Sequence, residues 1–117
     1  AYTCDQPYNF SLWCKNQETN HISPELDSLT MARDLIERTK SQLEGLEIKE
    51  SKVSEIKRID IGGDQYLELK GINYIQDFLI PNFYFHLVTA YNIMRMKGVP
   101  LGKVNYNSHL VPFIKAA

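Results

Sequence analysis

The chain has 117 residues, of which 44% are hydrophobic and 23% charged, and its formal net charge is -1. That length suits one domain with a single core, and the near-neutral charge gives no general attraction to nucleic acid or anionic membranes. No run of about eighteen apolar residues is present, which excludes a helix that crosses a membrane.

The first 22 residues show no regular apolar period and predict an irregular aromatic arm, with at most a turn of helix around residues 11–15. Cys4 and Cys14 are the only cysteines. Their even count and close spacing are typical of a small disulfide loop in an oxidising compartment. Asn9 begins a glycosylation sequon that a secreted chain can use. The alternative is two reduced thiols and an unused sequon.

Residues 23–46 predict the first long helix. Ser23, Pro24 and Glu25 form a helix start, with a hydroxyl cap, a proline at the first helical position and an acid in the first turn. Apolar residues then recur every three or four positions on one face, namely Leu26, Leu29, Ala32, Leu35, Ile36, Leu43 and Leu46. This spacing predicts an amphipathic helix that buries a single stripe.

A β-hairpin follows a polar connection at residues 47–55. Ile59 and Ile61 alternate with charged residues, and Leu67 and Leu69 do the same after the turn formed by residues 62–64. Two alternating runs across a glycine turn are typical of a hairpin. Because an isolated hairpin is only marginally stable in water, we expect one face to pack on the helices.

Residues 72–97 predict a second long helix that is apolar on almost every side, so it needs neighbours in several directions. Pro81 removes one backbone hydrogen bond and predicts a kink. Gly98 suits the left-handed position beyond the helix end. Residues 101–117 then form a tail, and we expect four of its apolar side chains to dock back: Leu110, Val111, Phe113 and Ile114.

The first helix and the hairpin together are too small to cover the apolar surface of the second helix. Either the arm or a second chain must cover the rest, and we favour the second chain. The predicted fold is therefore mainly α: a partial bundle of two long helices and a short β-hairpin, completed by dimerisation. The predicted organisation is an arm at residues 1–22 and a helix–hairpin–helix domain at residues 23–117.

Two runs in the C-terminal half carry a family resemblance. Pro81-Asn82-Phe83-Tyr84-Phe85-His86 with Thr89-Ala90-Tyr91, and then Gly98-Val99-Pro100-Leu101-Gly102-Lys103, resemble the signature of an uncharacterised domain-of-unknown-function family in bacteria and fungi. Its fold is a DinB-like four-helix bundle. The likeness covers about residues 23–106 and implies a cytoplasmic protein. Family members carry two further N-terminal helices. For this chain, those helices are supplied by another copy, are supplied by a separate chain, or are not supplied at all.

The resemblance also bears on metal binding. The wider DinB-like group often holds a divalent metal through three histidines, two of them one helical turn apart. Here the one-turn positions around His86 hold Asn82 and Ala90, and Met96 stands near the helix end where relatives often have histidine. We therefore expect no metal cofactor, with a divalent ion at His86 as the alternative.

His86 is interpreted as a buried imidazole that is hydrogen-bonded to a hydroxyl, such as that of Tyr84, Thr89 or Tyr91. With Asn82, Thr89 and Tyr91 it is also a candidate lining residue of a small ligand pocket. No nucleophile motif or phosphate-binding loop is present, so no catalytic residue is assigned.

These observations favour a binding or structural module, with a small apolar ligand between its helices as an added role. Two alternatives stay open. One is a DinB-like small-molecule enzyme that uses His86 as a metal ligand or a base. The other is a secreted interaction protein whose N-terminal arm is disulfide-bonded.

Overall fold

The computed structural model describes all of residues 1–117. In chain order the elements are α1 (Tyr2–Cys14), α2 (Leu29–Leu43), α3 (Ser51–Ser54), β1 (Ile56–Gly62), β2 (Gln65–Lys70), α4 (Gly71–Asn73), a π-helical segment (Tyr74–Leu79), α5 (Ile80–Met96), α6 (Lys103–Tyr106) and a 3-10 helix (Ser108–Phe113). The prediction of a mainly α fold with one hairpin is confirmed. The helices lack the combination of length and apolar character that a membrane crossing needs.

The chain divides into two compact units. The first unit is Ala1–His86 and the second unit is Leu87–Ala117.

The predicted irregular arm is wrong, because residues 2–14 form the helix α1, with Pro7 inside it. Its buried face mixes polar and apolar side chains: Asp5, Asn9, Ser11, Leu12, Trp13 and Cys14. An apolar period is therefore absent even though the helix is packed on one side. Polar residues that are satisfied by hydrogen bonds take positions that an amphipathic pattern gives to apolar ones.

The first long helix begins later than predicted. Ser28 is the N-cap of α2, and its side chain accepts a hydrogen bond from the Met31 N–H at 3.1 Å. The expected start at Ser23 is wrong because the Asp5 carboxylate accepts the N–H of Ile22 at 2.7 Å. That bond holds the preceding segment against α1, and the chain turns into a helix only at the next available cap.

The hairpin is confirmed, with antiparallel pairs that include Ile59 opposite Leu67 and Lys57 opposite Leu69. Gly62, Gly63 and Asp64 all have positive φ angles in the turn. Ile59 and Leu69 pack against the core of the first unit, which confirms that one face of the hairpin is covered.

The second long helix is confirmed as the helical run of α4, the π-helical segment and α5. Pro81 lies in the first turn of α5, directly after the π-helical segment. The wider π-helical turns give the proline ring room that an ordinary helix turn lacks. The kink angle at Pro81 stays a prediction. Gly98 has φ +85, which confirms its left-handed position beyond the helix end.

The core of the first unit is a cluster of four buried side chains: Trp13, Cys14, Tyr74 and Leu79. The Trp13 and Tyr74 rings meet edge to face, with centroids 5.1 Å apart. Lys52 is 2% exposed. Its Nζ lies 4.8 Å from the centre of the Trp13 ring and donates to Asn16 Oδ1 at 2.7 Å. A buried ammonium is tolerated here because it has both an ion-pair partner and hydrogen bonds.

The expectation that the C-terminal tail docks back is wrong. Its four apolar side chains are each at least half exposed: Leu110, Val111, Phe113 and Ile114. The second unit contains no buried residue. Part of one helix and two short helical turns provide no opposing layer against which such side chains can pack.

Candidate functional site

His86 lies half-buried at the end of the first unit. Its imidazole stacks on the Tyr2 ring, with ring centres 5.4 Å apart and an interplanar angle of 21°. The Phe85 ring meets the same imidazole edge to face, with ring centres 5.3 Å apart. The structure therefore shows aromatic contacts in place of the hydroxyl hydrogen bond expected for a buried histidine. The sequence pattern does not indicate Tyr2 as a partner of His86, because residues 1–22 show no helical period.

The other pocket candidates are divided between the units. Asn82 lies half-buried in the first unit, whereas Thr89 and Tyr91 belong to the second. The Tyr91 hydroxyl donates to the carbonyl of Gly102, so it serves the local fold of the second unit. The pocket stays a prediction. No cluster of three or more His, Cys, Asp or Glu side chains is arranged to hold a metal ion.

The candidate disulfide between Cys4 and Cys14 does not fit this structure, which agrees with the alternative of two reduced thiols. Both cysteines lie in α1 and both are free thiols. Ten residues along an α-helix separate them by about 15 Å, whereas a disulfide needs Cα atoms within about 7 Å. Cys14 is buried, and burial raises the pKa of its thiol.

The predicted glycosylation site at Asn9 is also contradicted by its surroundings. Asn9 is buried, and its Nδ2 donates to both the carbonyl and the carboxylate of Asp5 at 3.1 Å. Its Oδ1 accepts the N–H of Asn20 at 2.8 Å. A glycan needs an exposed amide nitrogen, and this one is used inside the fold.

Asp5 and Asn9 together anchor the segment that precedes α2. The Asp5 carboxylate accepts from the Ile22 N–H at 2.7 Å and lies 3.0 Å from Nδ1 of His21. A buried carboxylate that fixes a histidine is also the arrangement of catalytic dyads. Here the His21 side chain is 76% exposed, and no hydroxyl nucleophile contacts it. The contacts that the structure shows for Asp5 therefore anchor the segment before α2.

This anchoring creates an open groove between the segment and α2, which we call the α2 groove. Its volume is about 710 Å³. Its apolar lining comes from Ile22, Leu26, Met31 and Leu35, and its charged lining from Glu25, Asp34, Glu37 and Arg38. A smaller cavity of about 320 Å³ lies beside it and shares Ile22, Leu35 and Arg38. The groove was missed because residues 23–28 were assigned to the helix.

The charges of the chain are distributed unevenly between the units. The first unit carries nine Lys and Arg against fourteen Asp and Glu, a formal charge of -5. The second unit carries Arg95, Lys97, Lys103 and Lys115 and no acid, a formal charge of +4. The overall charge of -1 hides this difference, although it can be counted from the sequence.

The second unit is also rich in exposed apolar side chains. Ten large ones are between 41% and 76% exposed: Val88, Ile93, Met94, Met96, Val99, Val104, Leu110, Val111, Phe113 and Ile114. We call this set the apolar surface of the second unit. Isolated exposed apolar residues are ordinary in proteins, but a concentration of this kind is typical of an interaction site.

Comparison with known proteins identifies relatives of this architecture. The family model "Domain of unknown function (DUF1993)" matches residues 1–107. A DinB family member protein from Shewanella denitrificans, known from a crystal structure, is similar with a TM-score of 0.71 and 27% sequence identity. That match covers 90% of this chain and 60% of the other, so the present chain spans less than two thirds of that relative's length. No curated protein matches.

The family resemblance found at residues 23–106 is thus confirmed, and the match extends it over α1. The similarity to the DinB family member confirms the DinB-like helical fold. With residues 1–107 of 117 matched, this chain belongs to the family of the domain of unknown function DUF1993.

Proposed function

We propose that this chain is a helical binding module that works as a pair of identical copies. The observation that carries the proposal is the apolar surface of the second unit, which has ten large exposed side chains and no buried residue. Leaving this surface in water forgoes about 25 cal/mol for each Å² of apolar area that a partner would cover. Association is the means by which such a surface is removed from water.

The charge distribution favours a second copy as the partner. The first unit is acidic and the second unit is basic, with formal charges of -5 and +4. In a symmetric pair, the second unit of each copy can face the first unit of the other, so opposite charges meet at both contacts. Symmetric pairs are also the commonest assemblies among proteins that associate with themselves.

The mass of the particle in solution tests this proposal. We expect sedimentation or light scattering at tens of micromolar to give twice the 13.5 kDa of one chain. Ile93→Glu places a charge on the apolar surface and should raise the dimer dissociation constant by at least about tenfold, because burying an unpaired carboxylate is costly.

Asn92→Glu is the matched control, since it adds the same charge at the neighbouring exposed polar position. We expect it to weaken the pair far less than Ile93→Glu. A mass of one chain for the unaltered protein across this concentration range would contradict the proposal, and so would equal weakening by the two variants.

A further inference from the structure

We infer that the α2 groove of one copy receives the C-terminal segment, residues 108–115, of the other copy. This inference rests on the proposed pairing and adds the site at which the two chains meet. The groove and the segment are complementary in two independent respects, apolar surface and charge.

The apolar complementarity follows from the secondary structure of the segment. Ser108–Phe113 is a 3-10 helix, in which residues three apart lie on the same face. Leu110 therefore lies above Phe113, and both are at least half exposed. The groove offers apolar side chains on both walls: Ile22 and Leu26 on one, Met31 and Leu35 on the other. Its volume of about 710 Å³ is within the range of pockets that bury several apolar groups at once, ~300–1,000 Å³.

The charge complementarity lies at the rim of the groove. Glu25 and Asp34 line it, and their carboxylates have no ion-pair partner within the chain, whereas Glu37 is already paired with Lys40 at 3.3 Å. The segment carries Lys115, and the whole second unit is free of acids. A docked segment would therefore bring the Lys115 cation to a rim that has two unpaired carboxylates, where Arg38 is the one cation among the lining residues.

A second copy accounts for both surfaces, which an anionic lipid surface does not. A membrane could bind the basic, apolar second unit, but it would leave the groove of the first unit unfilled. The second copy is the occupant that satisfies the segment and the groove together.

Disulfide trapping between two differently tagged chains tests the contact directly. One chain carries Met31→Cys in the groove and the other carries Phe113→Cys in the segment. Both carry Cys4→Ser, because Cys4 is partly exposed while Cys14 is buried. Under mild oxidation we expect a mixed disulfide dimer on a non-reducing gel.

The matched control for trapping replaces Met31→Cys by Glu68→Cys, an exposed position on β2 outside the groove. We expect no mixed dimer above background from that pair. A chain that carries both Met31→Cys and Phe113→Cys should link to a second chain. Closure of the bond within a single chain would overturn the inference.

A charge exchange tests the rim. Because a symmetric pair contains the contact twice, Asp34→Lys should raise the dissociation constant by about tenfold. Combining it with Lys115→Glu should restore most of the affinity. Asp27→Lys, which changes an exposed acid outside the groove, should have little effect.

The outcomes separate the inference from the proposed pairing. If the unaltered protein pairs but neither trapping nor charge exchange implicates the groove, the inference is overturned and the pairing stands. If the unaltered protein is a single chain at tens of micromolar, both fail. If trapping fails in solution and the chain instead binds phosphatidylserine–phosphatidylcholine vesicles in a Phe113-dependent way, a lipid surface replaces the second copy.

Discussion

The two units of this chain contain similar side chains but bury them differently. In the first unit, Trp13 and Tyr74 meet in a closed cluster that the hairpin also covers. In the second unit, Phe113 at the end of the 3-10 helix and Ile114 directly after it are each 75% exposed. Apolar composition alone therefore does not make a core. A second layer must lie opposite the first, and only the first unit has one within this chain.

The hydrogen bonds of the two units differ in the same sense. In the first unit, Lys52 bonds Asn16 across 36 positions of sequence and Ile22 bonds Asp5 across 17. In the second unit, the Tyr91 hydroxyl donates to the Gly102 carbonyl across 11 positions of sequence, and the Gly102 N–H donates to Asn105 Oδ1 across 3. Long-range bonds hold the first unit together, whereas the second unit is fixed by local ones.

Truncating one large aromatic in each unit gives the largest expected difference. Trp13→Ala removes a side chain that is 6% exposed and should lower the free energy of unfolding by about 3–5 kcal/mol. The control, Phe113→Ala, removes one that is 75% exposed and should change it by less than about 0.5 kcal/mol when the chains are dilute. Urea denaturation at submicromolar concentration measures both, and equal losses would break the comparison.

A methyl group added to one glycine in each unit should have the next largest effect. A Cβ on Gly71 would lie 1.7 Å from the Lys52 carbonyl oxygen and 2.9 Å from the Trp13 ring. Since backbone must move to admit it, Gly71→Ala should cost about 2–3 kcal/mol.

Gly102→Ala is the control, because its nearest neighbour is a side-chain atom at 3.8 Å and its φ of -133 is open to alanine. We expect its denaturation midpoint to stay close to that of the parent. A Gly71→Ala protein that is as stable as Gly102→Ala would show that α3 and α4 are packed less tightly than the structure indicates.

The elements that the sequence predicts correctly are those with a local signal. The hairpin follows from alternation across a glycine turn, and the closing helix from its length and from Gly98. Helix α1 has no such signal, since Asp5, Asn9 and Ser11 occupy buried positions. Their burial depends on partners such as Ile22, which only the folded chain brings near. Hydrogen bonds between polar groups that are distant in sequence leave no periodic pattern from which a helix can be predicted.

The candidate site shows the same limit. The excess of apolar residues over available cover was predictable, because it needs only a count of helices and side chains. The α2 groove was not, because it exists only where Asp5 delays the start of α2. The acid-free second unit is predictable from the sequence, because all fourteen Asp and Glu lie before residue 87.

The smallest expected effect concerns alkaline pH and distinguishes the buried phenol of the first unit from an exposed one. Burial raises the pKa of Tyr74 well above its ordinary value of 10.0. The unfolded chain therefore loses this proton first, so the free energy of unfolding should fall above about pH 10, by at most about 1.4 kcal/mol per pH unit.

Tyr74→Phe removes the ionisable group and should flatten this part of the pH dependence. Tyr66→Phe, which removes the hydroxyl of a half-exposed tyrosine on β2, is the matched control. Burial also raises the pKa of Cys14 and lowers that of Lys57, but both groups are present in all three proteins, so their effects cancel in the differences. Urea denaturation at pH 8 and pH 11 gives the slopes. If the free energy of unfolding changes with pH in parallel for Tyr74→Phe and the parent, the core opens to water at high pH before the chain unfolds. The difference between a closed first unit and an exposed second unit would then hold only near neutral pH.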